Sequence, residues 1–177
     1  MFNIFKKKIE PEYDITNLSV KDLNVGFIFD YDMKSWVVKE VYEYDWGDHN
    51  FSKEYKVDSG DEVGFLGVED DGDIVLTMAK SLKIRKIEEN VFEAITEKKA
   101  PDKIHLDGKV YYLHSDSAGY FRDCAKKEKE WEELIAYEYL DEDEENFISL
   151  TQWDDRTVEA SSGIVLEQYK VSNIIPG

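Results

Sequence analysis

The sequence has little of what most dedicated chemistries require. It contains one cysteine, Cys124, so no disulfide can form within the chain. No apolar run approaches the roughly 18 residues that would indicate a membrane-spanning helix. Cations are scarce, since 22 Lys and Arg residues stand against 40 Asp and Glu residues, a net charge of −18. This balance argues against a nucleic-acid partner, because that affinity comes from cations that displace phosphate counterions.

The familiar site motifs are missing as well. There is no glycine-rich phosphate-binding motif, and His49, His105 and His114 are too scattered for a zinc motif. The acidic run at residues 141–145 has no glycine and lacks the spacing of a calcium loop, so we expect a solvated turn. We predict no metal and no cofactor. Enzymatic function stays open without being favoured, and we expect the acidic side chains mostly to face water.

What the sequence does have is alternation of apolar and polar residues, which indicates half-buried strands. A long aromatic strand carries Trp36, Val38, Tyr42, Tyr44 and Trp46, which share even parity. Three short strands follow and complete a meander. The second half repeats the pattern, and the remaining predicted strands lie at residues 51–58, 62–69, 74–79, 109–114, 131–140, 147–153, 157–161 and 164–171.

A short helix is predicted between the two halves. Asn90 and Glu93 fit a capping box, and Pro101 limits the element, so we place the helix at about residues 90–98. Residues 122–133 have many charges and no continuous apolar stripe, and we predict a loop or a single helical turn there.

The two halves resemble each other. Tyr55-Lys56-Val57 and Phe65-Leu66-Gly67-Val68 align with Tyr137-Glu138-Tyr139 and Phe147-Ile148-Ser149-Leu150. We therefore predict a mainly β fold of antiparallel meanders forming two related β-lobes, as an open barrel or a sandwich, joined by a short helix. The predicted boundaries are 1–12 for a flexible basic and apolar N-terminus, 13–87 for the first lobe, 88–102 for the helical connector and 103–177 for the second lobe.

The N-terminus carries three lysines behind Phe2, Ile4 and Phe5. This order is the reverse of a secretory signal, and with the lone Cys124 it predicts a bacterial cytoplasmic protein. A weak contact with the inner-membrane surface is the alternative to a frayed terminus.

Aromatic residues make up 14% of the chain. Most belong to predicted strands, but some lie beside Gly or Asp at predicted turns, where Trp and Tyr serve as anchors for partners. An aromatic surface in an acidic frame would suit an amine-bearing ligand through cation–π attraction. The candidate binding residues are Trp46, Asp48, Tyr120, Phe121, Trp153 and Asp154.

Several segments, in order and spacing, resemble a bacterial family of domains of unknown function, DUF4178. They are Phe29-Asp30-Tyr31-Asp32, Tyr44-Asp45-Trp46-Gly47-Asp48, Ala118-Gly119-Tyr120-Phe121, Gln152-Trp153 and Ser172-Asn173-Ile174-Ile175-Pro176. The resemblance implies no activity, cofactor or catalytic residue. It implies an accessory role in an envelope- or stress-response system.

The favoured interpretation is a non-catalytic interaction module that docks a protein partner through aromatic turns and acidic faces. The alternative is a small-ligand-binding protein or enzyme, with a pocket lined by carboxylates and tyrosines between the lobes. A third hypothesis is a calcium-dependent module.

Overall fold

The structure, a computed structural model, describes residues 14, 16–88, 90–126 and 130–177. The predictions for the N-terminus up to residue 13 and for residues 127–129 therefore lie outside the described residues. None of the helices in the described part has the length and hydrophobicity needed to cross a membrane. The described elements are β1 (Ile28–Tyr31), β2 (Lys34–Asp45), β3 (Phe51–Asp58), β4 (Val63–Asp70), β5 (Ile74–Leu82), α1 (Val91–Thr96), β6 (Lys103–Leu106), β7 (Lys109–Asp123), β8 (Glu132–Leu140), β9 (Asn146–Trp153), β10 (Val158–Leu166) and β11 (Ser172–Ile175), with 3₁₀ turns at Val20–Asp22, Ile84–Lys86 and Gln168–Lys170.

The strands form one antiparallel sheet that closes on itself. Two meanders, β2-β3-β4-β5 and β7-β8-β9-β10, are joined at two seams. At one seam β5 pairs with β10, and at the other β2 pairs with β7 through residues 42–45 and 120–123. The eight strands therefore form a closed ring, with β1 and β11 continuing the sheet beyond β2 and with β6 beside β7. The mainly β, antiparallel prediction is confirmed.

The order of elements repeats in the two halves. A short strand, a four-stranded meander and a 3₁₀ turn occur first from β1 to Ile84–Lys86 and again from β6 to Gln168–Lys170. The aligned Tyr55 and Tyr137 lie in β3 and β8, the second strands of their meanders. Helix α1 joins the halves, as predicted. The lobe boundaries stay predictions, because all strands belong to one continuous sheet.

The apolar side chains of the meanders mostly point out of the ring. Alternate residues of a strand face opposite sides of a sheet, and here the outer face of each meander is covered by additional elements. Over the first meander, Val20, Phe29 and Val171 pack with the outer residues of β2–β5. Over the second, α1 and β6 contribute Ile95 and Ile104. The inner face of the ring is consequently left for other residues, and many of them are polar.

The even parity of the aromatic strand does not correspond to a single face. A β-bulge between Val38 and Glu40 inserts one residue into β2. Trp36 and Val38 therefore lie in the outer cluster, whereas Tyr42 and Tyr44 line the interior. The prediction of one aromatic face was wrong, because a bulge reverses the side to which all later residues point.

Other local predictions also require correction. Asn90 adopts a left-handed conformation, with φ of 72°, and makes no side-chain capping bond, so the predicted capping box is wrong. Strand β7 runs from Lys109 to Asp123, well past the strand predicted at 109–114 and into the first two residues of the predicted loop, because both β2 and β8 pair with it. The two strands predicted at 157–161 and 164–171 are one strand, β10, followed by a 3₁₀ turn and β11.

Gly163 lies at the β5–β10 seam, directly opposite Ala79. A Cβ atom at this position would lie 2.8 Å from the Cα of Ala79 and closer still to the carbonyl oxygen of Met78. Because backbone atoms cannot swing aside, we expect Gly163→Ala to lower the free energy of unfolding by about 1–3 kcal/mol. Ser161→Ala, two residues away on the same face, adds no atoms and is the control. Urea denaturation checks this, and equal midpoints for the two variants would contradict a tight seam.

Tyr55 and Tyr139 are fully buried in the outer clusters, yet neither hydroxyl has a hydrogen-bond partner among the described residues. A buried unpaired hydroxyl costs about 1–3 kcal/mol. We expect Tyr55→Phe and Tyr139→Phe to leave the melting temperature unchanged or to raise it. Tyr44→Phe, which removes a hydroxyl bonded to Glu54, should lower it. A clear loss of stability in both outer variants would show that these hydroxyls are hydrogen-bonded.

Candidate functional site

The ring encloses a cavity of about 1290 Å³. It extends from the β8–β9 turn, where Glu144 borders it, to the β9–β10 turn at Asp154 and Asp155. Rings of eight antiparallel strands are either filled by side chains or left wide enough for one small ligand. Here many inner positions carry small residues, and these leave the space open: Gly67, Thr77, Ala79, Ser81, Ala136, Ser149, Thr151 and Ser161.

Six glutamates line this cavity. Glu144 lies in the β8–β9 turn, and Glu132, at the start of β8, is paired with Lys126. The other four, which we call the inner glutamates, come from four different strands: Glu54 on β3, Glu69 on β4, Glu138 on β8 and Glu159 on β10. Glu54 and Glu138 are half-buried, while Glu69 and Glu159 are exposed. They interact as two pairs across the ring, because the charge of Glu159 acts on Glu54 and that of Glu69 acts on Glu138. The cavity thus has a negative interior made by residues far apart in the chain.

Burial of these carboxylates changes their acidity. Burial raises the pKa of Glu54 to about 7, a hydrogen bond donated by the Tyr44 hydroxyl opposes the rise, and the charge of Glu159 adds to it. Burial likewise raises the pKa of Glu138, and the charge of Glu69 raises it further, against the opposing effects of His114 and Ser115. Burial also raises the pKa of Glu69. Carboxylates whose ionisation is this unfavourable are typical of functional sites.

A second polar group lies farther along the same wall. Lys56 binds Glu40 with an Nζ–Oε1 distance of 2.6 Å, and the Tyr42 hydroxyl donates to the other Glu40 oxygen at 2.5 Å. Glu40 is therefore already compensated by a cation and a hydrogen bond. The four inner glutamates have no such ion pair among the described residues.

An aromatic cluster lies beside Glu54. The rings of Tyr44 and Trp46 stack in parallel with their centroids 5.4 Å apart. Phe121 contacts Tyr44 at 5.4 Å and meets the Trp153 ring edge-on at 5.1 Å. The Trp46 indole N–H donates to the Ser52 hydroxyl at 2.9 Å, which fixes the ring against β3. The cluster therefore forms a rigid aromatic wall next to the carboxylates.

The structure brings together four of the six predicted binding residues. Trp46, Phe121, Trp153 and Asp154 all line the cavity. The other two do not join them. Asp48 lies in the exposed β2–β3 turn with a φ of 51°, and Tyr120 is 46% exposed on the outer side of β7. The predicted aromatic patch is thus mainly a cavity wall.

Comparisons with known proteins place this chain in a family. The profile of the family described as "Domain of unknown function (DUF4178)" matches residues 24–168. The chain belongs to the DUF4178 family. A relative from Aquifex aeolicus (strain VF5), named "Uncharacterized protein", is 28% identical to this DUF4178 protein over 173 residues, which cover 97% of this chain and 93% of the relative. No solved structure gave a match.

The inner glutamates of the DUF4178 protein were missed by sequence reasoning. Glu54 lies on the polar side of the alternating strand β3, and that side was expected to face water. For this residue the expectation was wrong, because ring closure turns the polar side of β3 inward. Glu69 lies on the face of β4 that also carries Phe65 and Gly67, and it is exposed. The acidic run at 141–145 does form a turn, in which Asp141 accepts bonds from the backbone of Glu145 and Asn146 and residues 142–145 are exposed.

This arrangement favours binding of a cation. Converging carboxylates attract positive charge, and aromatic faces add cation–π attraction of about 0.5–2 kcal/mol. The described part of the DUF4178 protein contains no group of three or more His, Cys, Asp or Glu residues able to hold a metal ion. The cavity is large enough for an organic cation that contacts both the carboxylates and the rings.

The raised pKa of Glu54 predicts how the stability of the folded protein depends on pH. Because its pKa is higher in the folded protein than the ordinary 4.5, the folded state holds the proton more tightly. The contribution of Glu54 to the free energy of unfolding is fully present below about pH 4.5. It is lost as the pH rises through about 7, because the folded protein must then bury an ionised carboxylate. Glu54→Gln removes the effect, so we expect the variant to gain about 1–2 kcal/mol over the parent between pH 5 and pH 8.

Chemical denaturation at both pH values measures the gain. Glu133→Gln, at an exposed glutamate of β8, is the matched control and should show no such gain. A pH-independent difference between Glu54→Gln and the parent would contradict a desolvated carboxyl in the cavity.

Proposed function

We propose that this DUF4178 protein binds a small organic cation, bearing an amino or guanidinium group, inside the ring of strands. The observation that carries the proposal is the convergence of four glutamates in a cavity of about 1290 Å³. Pockets for small molecules are typically about 300–1,000 Å³ and combine apolar walls with a few converging polar groups. The interior of the ring has both kinds of lining.

Electrostatics support a cationic occupant. Two carboxylates close together in a poorly solvated space repel. Burial, with the repulsion from Glu159 and Glu69 added to it, raises the pKa of Glu54 and of Glu138, so these two groups hold their protons more readily. A bound ammonium group replaces the proton, and charge-assisted hydrogen bonds to a carboxylate are the stronger kind. An anionic ligand would instead add charge of the same sign to a protein with a net charge of −18.

The aromatic wall supports an organic cation over a simple inorganic one. The stacked rings of Tyr44 and Trp46 adjoin Glu54, because the Tyr44 hydroxyl donates to the Glu54 Oε1 atom at 3.2 Å. A ligand held by Glu54 therefore meets aromatic surface directly. That surface suits a hydrocarbon group and gains little from a hydrated metal ion.

Isothermal titration calorimetry tests the proposal with benzylamine, n-pentylamine and 1,5-diaminopentane, and with benzyl alcohol as a neutral control. We expect at least one amine to bind saturably and benzyl alcohol not to bind. A ligand at 100 times its Kd should add about 2.7 kcal/mol to the free energy of unfolding. Glu54→Gln should weaken amine binding about tenfold or more, and the outer-face variant Glu133→Gln should leave it unchanged.

Absence of binding by all three amines would overturn the proposal. It would also be overturned by amine binding that is unaffected in a Glu54→Gln, Glu138→Gln double variant, since the ligand would then lie elsewhere.

A second candidate function is docking of a protein partner on the outer face of the β2–β7 seam. Phe51 and Tyr120 are 53% and 46% exposed there, and both lie beside Asp45 in the sheet register. Aromatic residues exposed in this way are favoured at interfaces. The predicted bacterial cytoplasmic location, a contact with the inner membrane and a role in an envelope- or stress-response system belong to this candidate as proposals.

A further inference from the structure

We infer that the ligand of the cavity carries two cationic groups, and that each carboxylate pair holds one of them. This inference rests on the proposed function and narrows it from organic cations in general to linear diamines and related dications. It follows from the placement of the four glutamates in the register of the ring and from the small residues that leave space between them.

On the wall formed by β3 and β4, two glutamates are diagonal neighbours. Glu54 stands opposite Gly67, and Glu69 stands opposite Ser52. Diagonal positions of this kind are about 7–8 Å apart. Gly67 has no side chain, and the Ser52 hydroxyl is engaged by Trp46, so neither residue fills the space in front of the two carboxylates.

On the opposite wall the other two glutamates lie on β8 and β10, the two strands that flank β9. Glu138 on β8 is level with Ser149, and Glu159 on β10 is level with Thr151. Those two β9 residues are successive on the inner face, so the two glutamates are also offset along the strands. On each wall the two glutamates are one inner position apart along the strands. The charge of Glu159 acts on Glu54 and that of Glu69 acts on Glu138, so the two pairs are neighbours along the cavity.

The cavity has apolar surface on either side of the glutamates and open space at their levels. Phe65 and Phe147 lie one inner position beyond Glu54 and Glu138, respectively, and line the same cavity. At the glutamate levels the neighbouring residues are small, such as Gly67 and Ser149, so a short methylene chain has room between the pairs. Two cationic ends joined by a short linker therefore fit this cavity better than a single charged group does.

A monocation compensates only one of the two pairs. The other pair keeps its like-charge repulsion or its bound proton, so half of the unfavourable electrostatics persists. A dication relieves both pairs in one binding event, and the second ammonium is held without a further loss of translational freedom. The chain length is limited by the spacing of the pairs, which favours linkers of a few methylene groups.

Calorimetry with 1,5-diaminopentane and n-pentylamine tests this inference, since the two differ in one terminal amino group. We expect the unsubstituted protein to bind the diamine at least tenfold more tightly than n-pentylamine. In Glu54→Gln and in Glu69→Gln, each of which weakens one pair, the advantage of the diamine should fall to about threefold or less. Glu133→Gln should retain the full advantage.

The outcomes separate the two proposals. If both amines bind with equal affinity, the two-cation inference is overturned and the proposed function stands. If none of the amines tested above binds, both are overturned. A glutamate-selective ¹³C NMR spectrum gives a second readout: the diamine should shift the carboxyl resonances of Glu54 and Glu138 together, and a shift of only one would contradict simultaneous engagement of both pairs.

Discussion

The closure of the sheet at the β2–β7 seam is the constraint on which the remaining structure depends. Four residue pairs, from Tyr42 with Asp123 to Asp45 with Tyr120, join strands that are distant in the sequence. Since side chains alternate across a strand, closing the ring assigns one face of all eight strands to an interior. Without this seam the same residues would form an open sheet, and Glu54 would face solvent.

Closure also explains why a polar interior is compatible with a stable fold. The hydrophobic effect requires apolar surface to leave water, but it does not require that surface to lie inside the ring. Here the apolar faces are buried on the outside, under β1 and the 3₁₀ turn at Val20–Asp22 in one half and under α1 and β6 in the other. Burial of apolar side chains in these two outer clusters stabilises the folded state. The interior can then hold carboxylates whose ionisation is unfavourable, a feature that is common at functional sites and that motivates the proposed binding of a cation.

Much of the fold could be predicted from local patterns, because strands such as β3 alternate strictly and the two halves share a recognisable repeat.

Three features could not be predicted. The bulge at Val38/Glu40 reverses the side to which Tyr42 and Tyr44 point, and nothing in the spacing of the aromatic residues marks it. The extension of β7 to Asp123 depends on partners in β2 and β8 and not on its own composition. The convergence of Glu54 with Glu159 requires pairing at the two seams, between strands about 80 residues apart in the sequence. Each glutamate, considered alone, is therefore typical of a solvated strand face. The aromatic residues at turns were the better guide, since Trp46, Phe121 and Trp153 do meet.

The most direct measurement of the central claim is a nuclear Overhauser spectrum of the isotope-labelled protein, read at the two seams. The closed ring predicts cross-strand contacts between the backbone protons of residues 42–45 and 120–123, as well as between those of residues 76–82 and 160–166. Contacts within both meanders but none at the β2–β7 seam would show an open sheet, and would contradict the existence of an interior in which the four glutamates converge.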